Sequence, residues 1–325
     1  MSTQEAGTAT EGIAAAQRFA AAVRDGVQRV IVGKTGSIEL AIAALLARGH
    51  VLIDDVPGTG KTTLSKALAA TMRCDFGRIQ FTPDLVPADV LGVNIFDMNR
   101  REFEFRPGPI FAQVLLADEI NRATPRTQSA LLEAMQERQV SIDGVTMALP
   151  APFFVVATLN PIEMEGTFPL PEAQLDRFLL RLELGYPEAA EEAAMLDRFR
   201  GDGGVMDIEP VVGSEDIARA QRAVDEVRVD VAVRDYLLAI IAATRDDERL
   251  RLGASPRASL ALQRASQARA AIKGRGYVMP DDIKALAVPA LAHRLVVESG
   301  ARLRGVTATG VIEEILEEIA IPIGD

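Results

Sequence analysis

Lys61 stands in the run Pro57-Gly58-Thr59-Gly60-Lys61-Thr62-Thr63, between an apolar stretch at residues 50–54 and a helical pattern that starts near Thr62. These residue types suit a polyphosphate. Glycines let backbone N–H groups come close to phosphate oxygens, a lysine reaches the terminal phosphates, a hydroxyl such as that of Thr62 ligates magnesium, and a helix N-terminus adds a favourable field. The strict G-x-x-x-x-G-K-[ST] pattern would place a glycine at Asp55. Aspartate tolerates unusual backbone angles better than most residues, so the reading survives that exchange. A glycine-rich structural turn beside a solvated lysine would share this composition, but not the strand before it and the helix after it.

A second group lies 57 residues beyond Lys61, where Val114-Leu115-Leu116-Ala117 runs into Asp118-Glu119. An apolar strand there delivers two acids at its C-terminal end, the edge of a parallel sheet where ligands bind. Asp118 can hold magnesium, directly or through water, and Glu119 can polarise an attacking water. Asn160 follows a third apolar stretch and offers a neutral amide at the same edge, although alone it would read as a turn residue before Pro161. Arg177 and Arg257 stand at element ends, where a surface ion pair is the usual fate of arginine.

The elements that must position these groups follow from hydrophobic patterning. Short, nearly continuous apolar runs at residues 50–54, 78–81, 114–118, 153–158 and 178–182 alternate with helical patterns. That alternation predicts a five-stranded parallel sheet between helices. After Tyr186-Pro187 the period becomes helical, over residues 216–227, 231–244, 256–273 and 281–297, with starts at Ser255-Pro256 and Pro280 and a loop at 201–204. The 325 residues exceed one ordinary core. The expected organisation is a disordered tail at 1–10, an α/β nucleotide-binding domain at 11–186 and a smaller all-α domain at 187–325. Asp143-Gly144, between two polarity-alternating triplets, predicts a tight β-hairpin just before the fourth strand.

Several stretches together resemble the MoxR family of AAA+ ATPases: Ile31-Val32-Gly33, the run from Arg78 to Leu85, Gly108-Pro109-Ile110-Phe111, the run from Leu116 to Ala123, and the run from Leu170 to Phe178. The resemblance extends from about Ile31 to the final helices. It implies a P-loop AAA+ core followed by a helical lid, with ATP and Mg2+ as cofactors. It implies that Val32 and Gly33 join Pro57, Gly58, Thr59, Gly60, Lys61, Thr62 and Thr63 in holding the nucleotide, and that Thr62 and Asp118 face the metal. By the same resemblance Asn160 is the sensor 1 residue, Arg177 the arginine finger supplied to a neighbour's site, and Arg257 the sensor 2 arginine reaching γ-phosphate from the lid. Gln80 corresponds to a switch residue restraining Glu119, and residues 83–106 to an insert in the second helix. Implied partners are further copies of the chain in a ring, commonly of six, a protein client, and a protein carrying a von Willebrand factor A domain.

Composition narrows the classes further. No apolar run approaches the length of a bilayer span, and the polar N-terminus lacks the features of a signal peptide, so a cytoplasmic protein without membrane insertion is expected. One cysteine and two histidines exclude an internal disulfide and leave little for a transition metal. A formal charge of -11 opposes binding to phosphate backbones. A nucleic-acid motor would also want basic residues at the hairpin tip, where Asp143-Gly144 stands. That reading and a metal-chelatase ATPase subunit are the two alternatives.

Overall fold

The structure is a computed structural model that describes residues 3–160, 167–198 and 208–322, with residues 3–10 described by backbone alone. The central sheet has the order β2-β5-β8-β1-β9, all parallel, from β1 (Val51–Asp54), β2 (Phe76–Gln80), β5 (Val114–Asp118), β8 (Phe154–Leu159) and β9 (Leu180–Leu182). β1, β5 and β8 are buried on both faces because helices cover both, which is why their sequences do not alternate, whereas the edge strand β2 buries only Ile79. The covering helices are α2 (Thr35–Leu46) and α3 (Lys61–Thr71) on one face and α5 (Pro125–Glu137) on the other; α1 (Thr3–Gln28) packs over α2 and α3, and α4 (Pro87–Leu91) and α6 (Glu172–Leu175) are single turns. Helical backbone begins at Thr3, inside the segment whose composition reads as a tail.

Two hairpins leave this layer. β6 (Gln139–Ile142) and β7 (Val145–Ala148) join through Asp143 and Gly144, whose φ values of 50° and 82° are what a two-residue hairpin turn requires. The second hairpin, β3 (Gly92–Asp97) with β4 (Glu102–Pro107), falls in the expected insert, after β2 and between the short helix Pro87–Leu91 and the 3-10 turn Pro109–Phe111. Its Phe96 and Phe103 pack edge to face at 5.3 Å and both remain exposed. Asn94 Nδ2 donates to Asp143 Oδ2 at 2.6 Å, so the two hairpins touch.

The rest of the chain is helical: α7 (Ala189–Arg198), α8 (Ser214–Asp225), α9 (Val231–Asp246), α10 (Pro256–Ile272), α11 (Pro280–Leu291), α12 (Ser299–Leu303) and α13 (Ala308–Glu318). The loop expected at 201–204 lies outside the described residues. The helix expected over 281–297 ends at Leu291, shortly after Pro289 removes a backbone donor from it. The chain then makes a 3-10 turn at Ala292–Arg294, and β11 (Val296–Val297) pairs with β10 (Leu250–Leu252). Helix α1 packs on α2 and α3 on one side and on α8 and α10 on the other. One apolar cluster therefore runs without a break from Val23, Ala44 and Leu68 to Ala220, Leu262 and Leu286.

His50 sits buried at the N-terminal edge of β1. The Val155 N–H donates to His50 Nδ1 at 3.0 Å, which leaves Nε2 as the protonated nitrogen facing Met135 O, also at 3.0 Å. Burial pushes its pKa down to about 4, with the Met135 carbonyl opposing and Arg138 adding to the shift. Because the folded value lies below the unfolded one, the stabilisation is complete above about pH 6.5 and is lost as the pH falls towards 4. Denaturant titrations should show His50→Gln losing about 2 kcal/mol less than the parent between pH 7 and pH 5. Equal losses would mean that His50 is not held neutral.

Candidate nucleotide site

The loop between β1 and α3 takes its shape from glycine at two positions. Gly58 and Gly60 have φ values of 85° and 93°, and a Cβ added to either would meet no atom within 4 Å. Backbone angle, not crowding, selects glycine here. Gly60 caps α3, so Lys61, Thr62 and Thr63 form its first turn, and Lys61 Nζ donates to Asp55 O at 2.6 Å.

Asp55 does more than tolerate an unusual angle, and its φ is not positive. Its Oδ1 accepts from Val56 N at 2.8 Å, and its Oδ2 accepts from Leu184 N at 2.8 Å and Gly185 N at 2.6 Å. The carboxylate thus ties the start of the glycine loop to the segment leaving β9. That segment also reaches the turn holding Val32 and Gly33. Lys34 Nζ donates to Tyr186 O at 2.8 Å, and Gly33, at φ 68°, lies so close to Glu191 that a Cβ there would overlap its carboxylate. Val32-Gly33 and the glycine loop are therefore held by one stretch, residues 184–191.

At the same sheet edge the two acids emerge from β5. Glu119 adopts φ 57° and ψ 50°, a left-handed conformation that costs a non-glycine residue of order 1–3 kcal/mol. Thr158 on β8 helps to hold it there: the Glu119 N–H donates to Thr158 Oγ1 at 2.8 Å, and that hydroxyl donates to Asp118 Oδ1 at 2.7 Å. Sequence reasoning passed over Thr158, whose signal is a lone hydroxyl at the end of an apolar strand. Arg78 Nη2 donates to Asp118 Oδ2 and to Gln80 Oε1, each at 2.7 Å. Gln80 Nε2 in turn donates to Glu119 Oε2 at 2.9 Å, Arg122 pairs with the same oxygen at 3.0 Å, and Asn160 Nδ2 lies 3.4 Å from Oε1. One polar network thus contains Asp118, Glu119, Asn160 and Gln80.

The donors at this edge suit a hard divalent cation. The Asp118 carboxylate is nearly buried, and the Thr62 hydroxyl belongs to the first turn of the helix packed on β5; both are oxygen donors of the kind magnesium takes. No group of three or more His, Cys, Asp or Glu able to hold a metal occurs among the described residues. Such a donor set fits an ion that also takes phosphate oxygens and water.

Arg177 and Arg257 are not at this edge. Leu179 N donates to His50 O at 2.8 Å, which places Arg177 by the N-terminal end of β1, with the length of the strand between it and the glycine loop. Arg257, in the first turn of α10, borders the same cleft of about 310 Å³ as Arg177, together with Arg48, Arg138, Arg264 and Arg294. The structure thus brings Lys61, Asp118, Glu119 and Asn160 together and sets the two arginines on the opposite edge. A reach from Arg257 to the chain's own glycine loop does not fit this placement.

A parallel sheet with a glycine loop after β1, two acids after β5 and a helical domain behind it defines a P-loop ATPase of the AAA+ class. Residues 50–180 match the ATPase family associated with various cellular activities, and residues 242–315 match the AAA lid domain. The chain is 50% identical to the uncharacterized protein YeaC of Bacillus subtilis over 91% of its own length and 93% of that protein. It is 43% identical to the chaperone MoxR1 of Mycobacterium tuberculosis over 91% of its own length and 80% of that protein. A crystal structure of a chain assigned as an ATPase, from Cytophaga hutchinsonii, superposes with a TM-score of 0.91 at 36% identity, covering 98% of this chain and 99% of that one. The chain belongs to the MoxR family of AAA+ ATPases and is an ATP-hydrolysing enzyme.

Proposed function

We propose that the chain hydrolyses ATP with magnesium at sites shared between ring-forming copies, probing a protein client with its two hairpins in a chaperone-like cycle. In this reading residues 11–186 hold the nucleotide and 187–325 form the lid. The observation that carries it is the division of the site: Lys61, Asp118, Glu119 and Asn160 at one sheet edge, Arg177 and Arg257 at the other. Two copies stacked edge to edge complete one site.

Pro57 to Thr63, with Val32 and Gly33, cradle the nucleotide, and Lys61 exchanges its contact with Asp55 O for the terminal phosphates. Thr62 and Asp118 would hold magnesium, which would supply neutralisation of phosphate charge. Glu119, freed from Gln80 and Arg122, orients and polarises the attacking water, with Asn160 beside it. Arg177 and Arg257 from the neighbour stabilise charge that develops on the transferring phosphoryl group. Bound nucleotide reaches the hairpins along a physical path, because Glu119 leads through α5 to β6 and the Asp143 turn touches Asn94.

A protein client is favoured over nucleic acid by the charge of -11, the acidic tip at Asp143 and the exposed Phe96, Met98 and Phe103 on the β3–β4 hairpin. Single- and double-stranded DNA and RNA should leave ATP turnover unchanged at low and at moderate salt. A several-fold, salt-sensitive stimulation would favour a nucleic-acid motor instead. The client and any partner with a von Willebrand factor A domain are to be sought among proteins that copurify with Glu119→Gln in ATP and leave in ADP. A set of copurifying proteins unaffected by nucleotide would count against a remodelling cycle.

A further inference from the structure

We infer that Asp176 is a positioning residue that locks Arg177 and Arg257 into one unit presented to the neighbouring copy, an inference that rests on the shared-site reading above. The inference begins with what converges on one carboxylate. Ser255 Oγ lies 3.0 Å from Asp176 Oδ2 and 3.2 Å from Oδ1, and Arg294 Nε donates to Oδ1 at 2.8 Å. Both donors come from the helical part of the chain, while Asp176 immediately precedes Arg177.

Each donor fixes one of the two arginines. Ser255 is the N-cap of α10, its Oγ accepting from Ala258 N at 3.2 Å, and Arg257 lies in the helical turn it caps. Holding Ser255 therefore holds the base of Arg257. Arg294, only 4% exposed, spreads its remaining donors over the backbone of the finger loop: to Asp176 O at 3.2 Å, Phe178 O at 2.6 Å and Leu179 O at 3.3 Å, and also to Ala290 O. His293 adds a contact from Nε2 to Phe178 O at 3.1 Å. The carbonyls flanking Arg177 are thus gripped from the lid, and the lid helix bearing Arg257 is gripped by the residue beside Arg177.

Charge makes the same residue necessary. Among the described residues Asp176 is the only acid bordering a cleft that six arginines share, and burial lowers the proton affinity of Arg294, with the Arg257 charge adding to the effect. Without the Asp176 carboxylate, Arg294 would be a buried cation without its counterion, and like charges would push the arginines apart. Arginines meant to meet a triphosphate must be held close together against their own repulsion, and Asp176 supplies that hold from behind, touching no substrate.

Such a role differs from a merely structural one in where the defect appears. Asp176→Asn keeps its own glycine loop and acids, so ATP affinity should be preserved while turnover falls on the order of 10²-fold, as a misplacement of about 1 Å can cause. Mixing under subunit exchange locates the fault. Asp176→Asn copies mixed with Glu119→Gln copies, which carry intact arginines, should regain turnover, as Arg177→Ala copies mixed with Glu119→Gln should. Rescue of Arg177→Ala without rescue of Asp176→Asn would overturn the proposal, since its defect would then lie in its own fold. Rescue of neither would overturn the shared site itself. Ser255→Ala, which keeps the Asp176 to Arg294 pair, serves if Asp176→Asn does not fold. It should show the same rescuable loss in milder form, and full turnover by folded Ser255→Ala would count against a lock.

Discussion

Arg177→Ala should lower ATP turnover by roughly 10³-fold or more while leaving ATP affinity near that of the parent, the range for loss of an arginine that neutralises charge in phosphoryl transfer. The expectation comes from placement. Arg177 lies by His50, at the N-terminal edge of β1, with its Nε buried and without an acceptor among the described residues, and the strand separates it from Lys61. An arginine there cannot help to bind the chain's own nucleotide, so its removal should spare affinity. Its remoteness also predicts that turnover per subunit depends on protein concentration, because on the shared-site proposal a lone copy would have no complete site. Turnover per subunit that stays constant from nanomolar to micromolar protein, with copies shown to dissociate, would place the whole active site within one chain.

Glu119→Gln and Lys61→Ala should fail in different ways. Removing Lys61 would take away the cation that, on the proposed roles, meets the terminal phosphates, so ATP binding should weaken severely and turnover with it. Glu119→Gln keeps the loop, the helix and Asp118, so ATP should bind normally while hydrolysis falls by two to four orders of magnitude, about what a positioned general base contributes. A labelled nucleotide for affinity and phosphate release for turnover separate the two. Near-normal hydrolysis by Glu119→Gln would remove that residue from water activation. The left-handed backbone at Glu119 sharpens the expectation, since a residue kept in a costly conformation by Thr158 usually has work there.

Much of the fold was legible in the sequence because its signals are local. A parallel strand covered on both faces must be apolar throughout, and Val114 to Ala117 shows that without any neighbour being known. The Asp143-Gly144 turn and the Ser255-Pro256 start are likewise written in adjacent residues. What stayed hidden depends on partners distant in sequence. β11 is two valines until Leu250–Leu252 lies beside it, and the expected long helix covered it. Asp55 looked like a flawed glycine position because its three acceptor contacts include Leu184 and Gly185, well over a hundred residues away. The site divides the same way: Lys61, Asp118 and Glu119 follow from spacing, whereas Thr158 and the opposite-edge placement of Arg257 required the folded chain.

The apolar cluster that α1 carries from α2 and α3 across to α8 and α10 bears on how such a machine could move. To swing those lid helices off the sheet, the chain would have to wet that seam, and exposing even ~400 Å² of apolar surface costs about 10 kcal/mol. That is comparable to the whole stability of a typical domain. The lid is thus welded to its own core, and on the shared-site proposal strain raised by nucleotide at one edge would cross the copy as through a stiff beam to the arginines at the other. In the proposed assembly the give would belong at the joints between copies, where each shared site would open or shut.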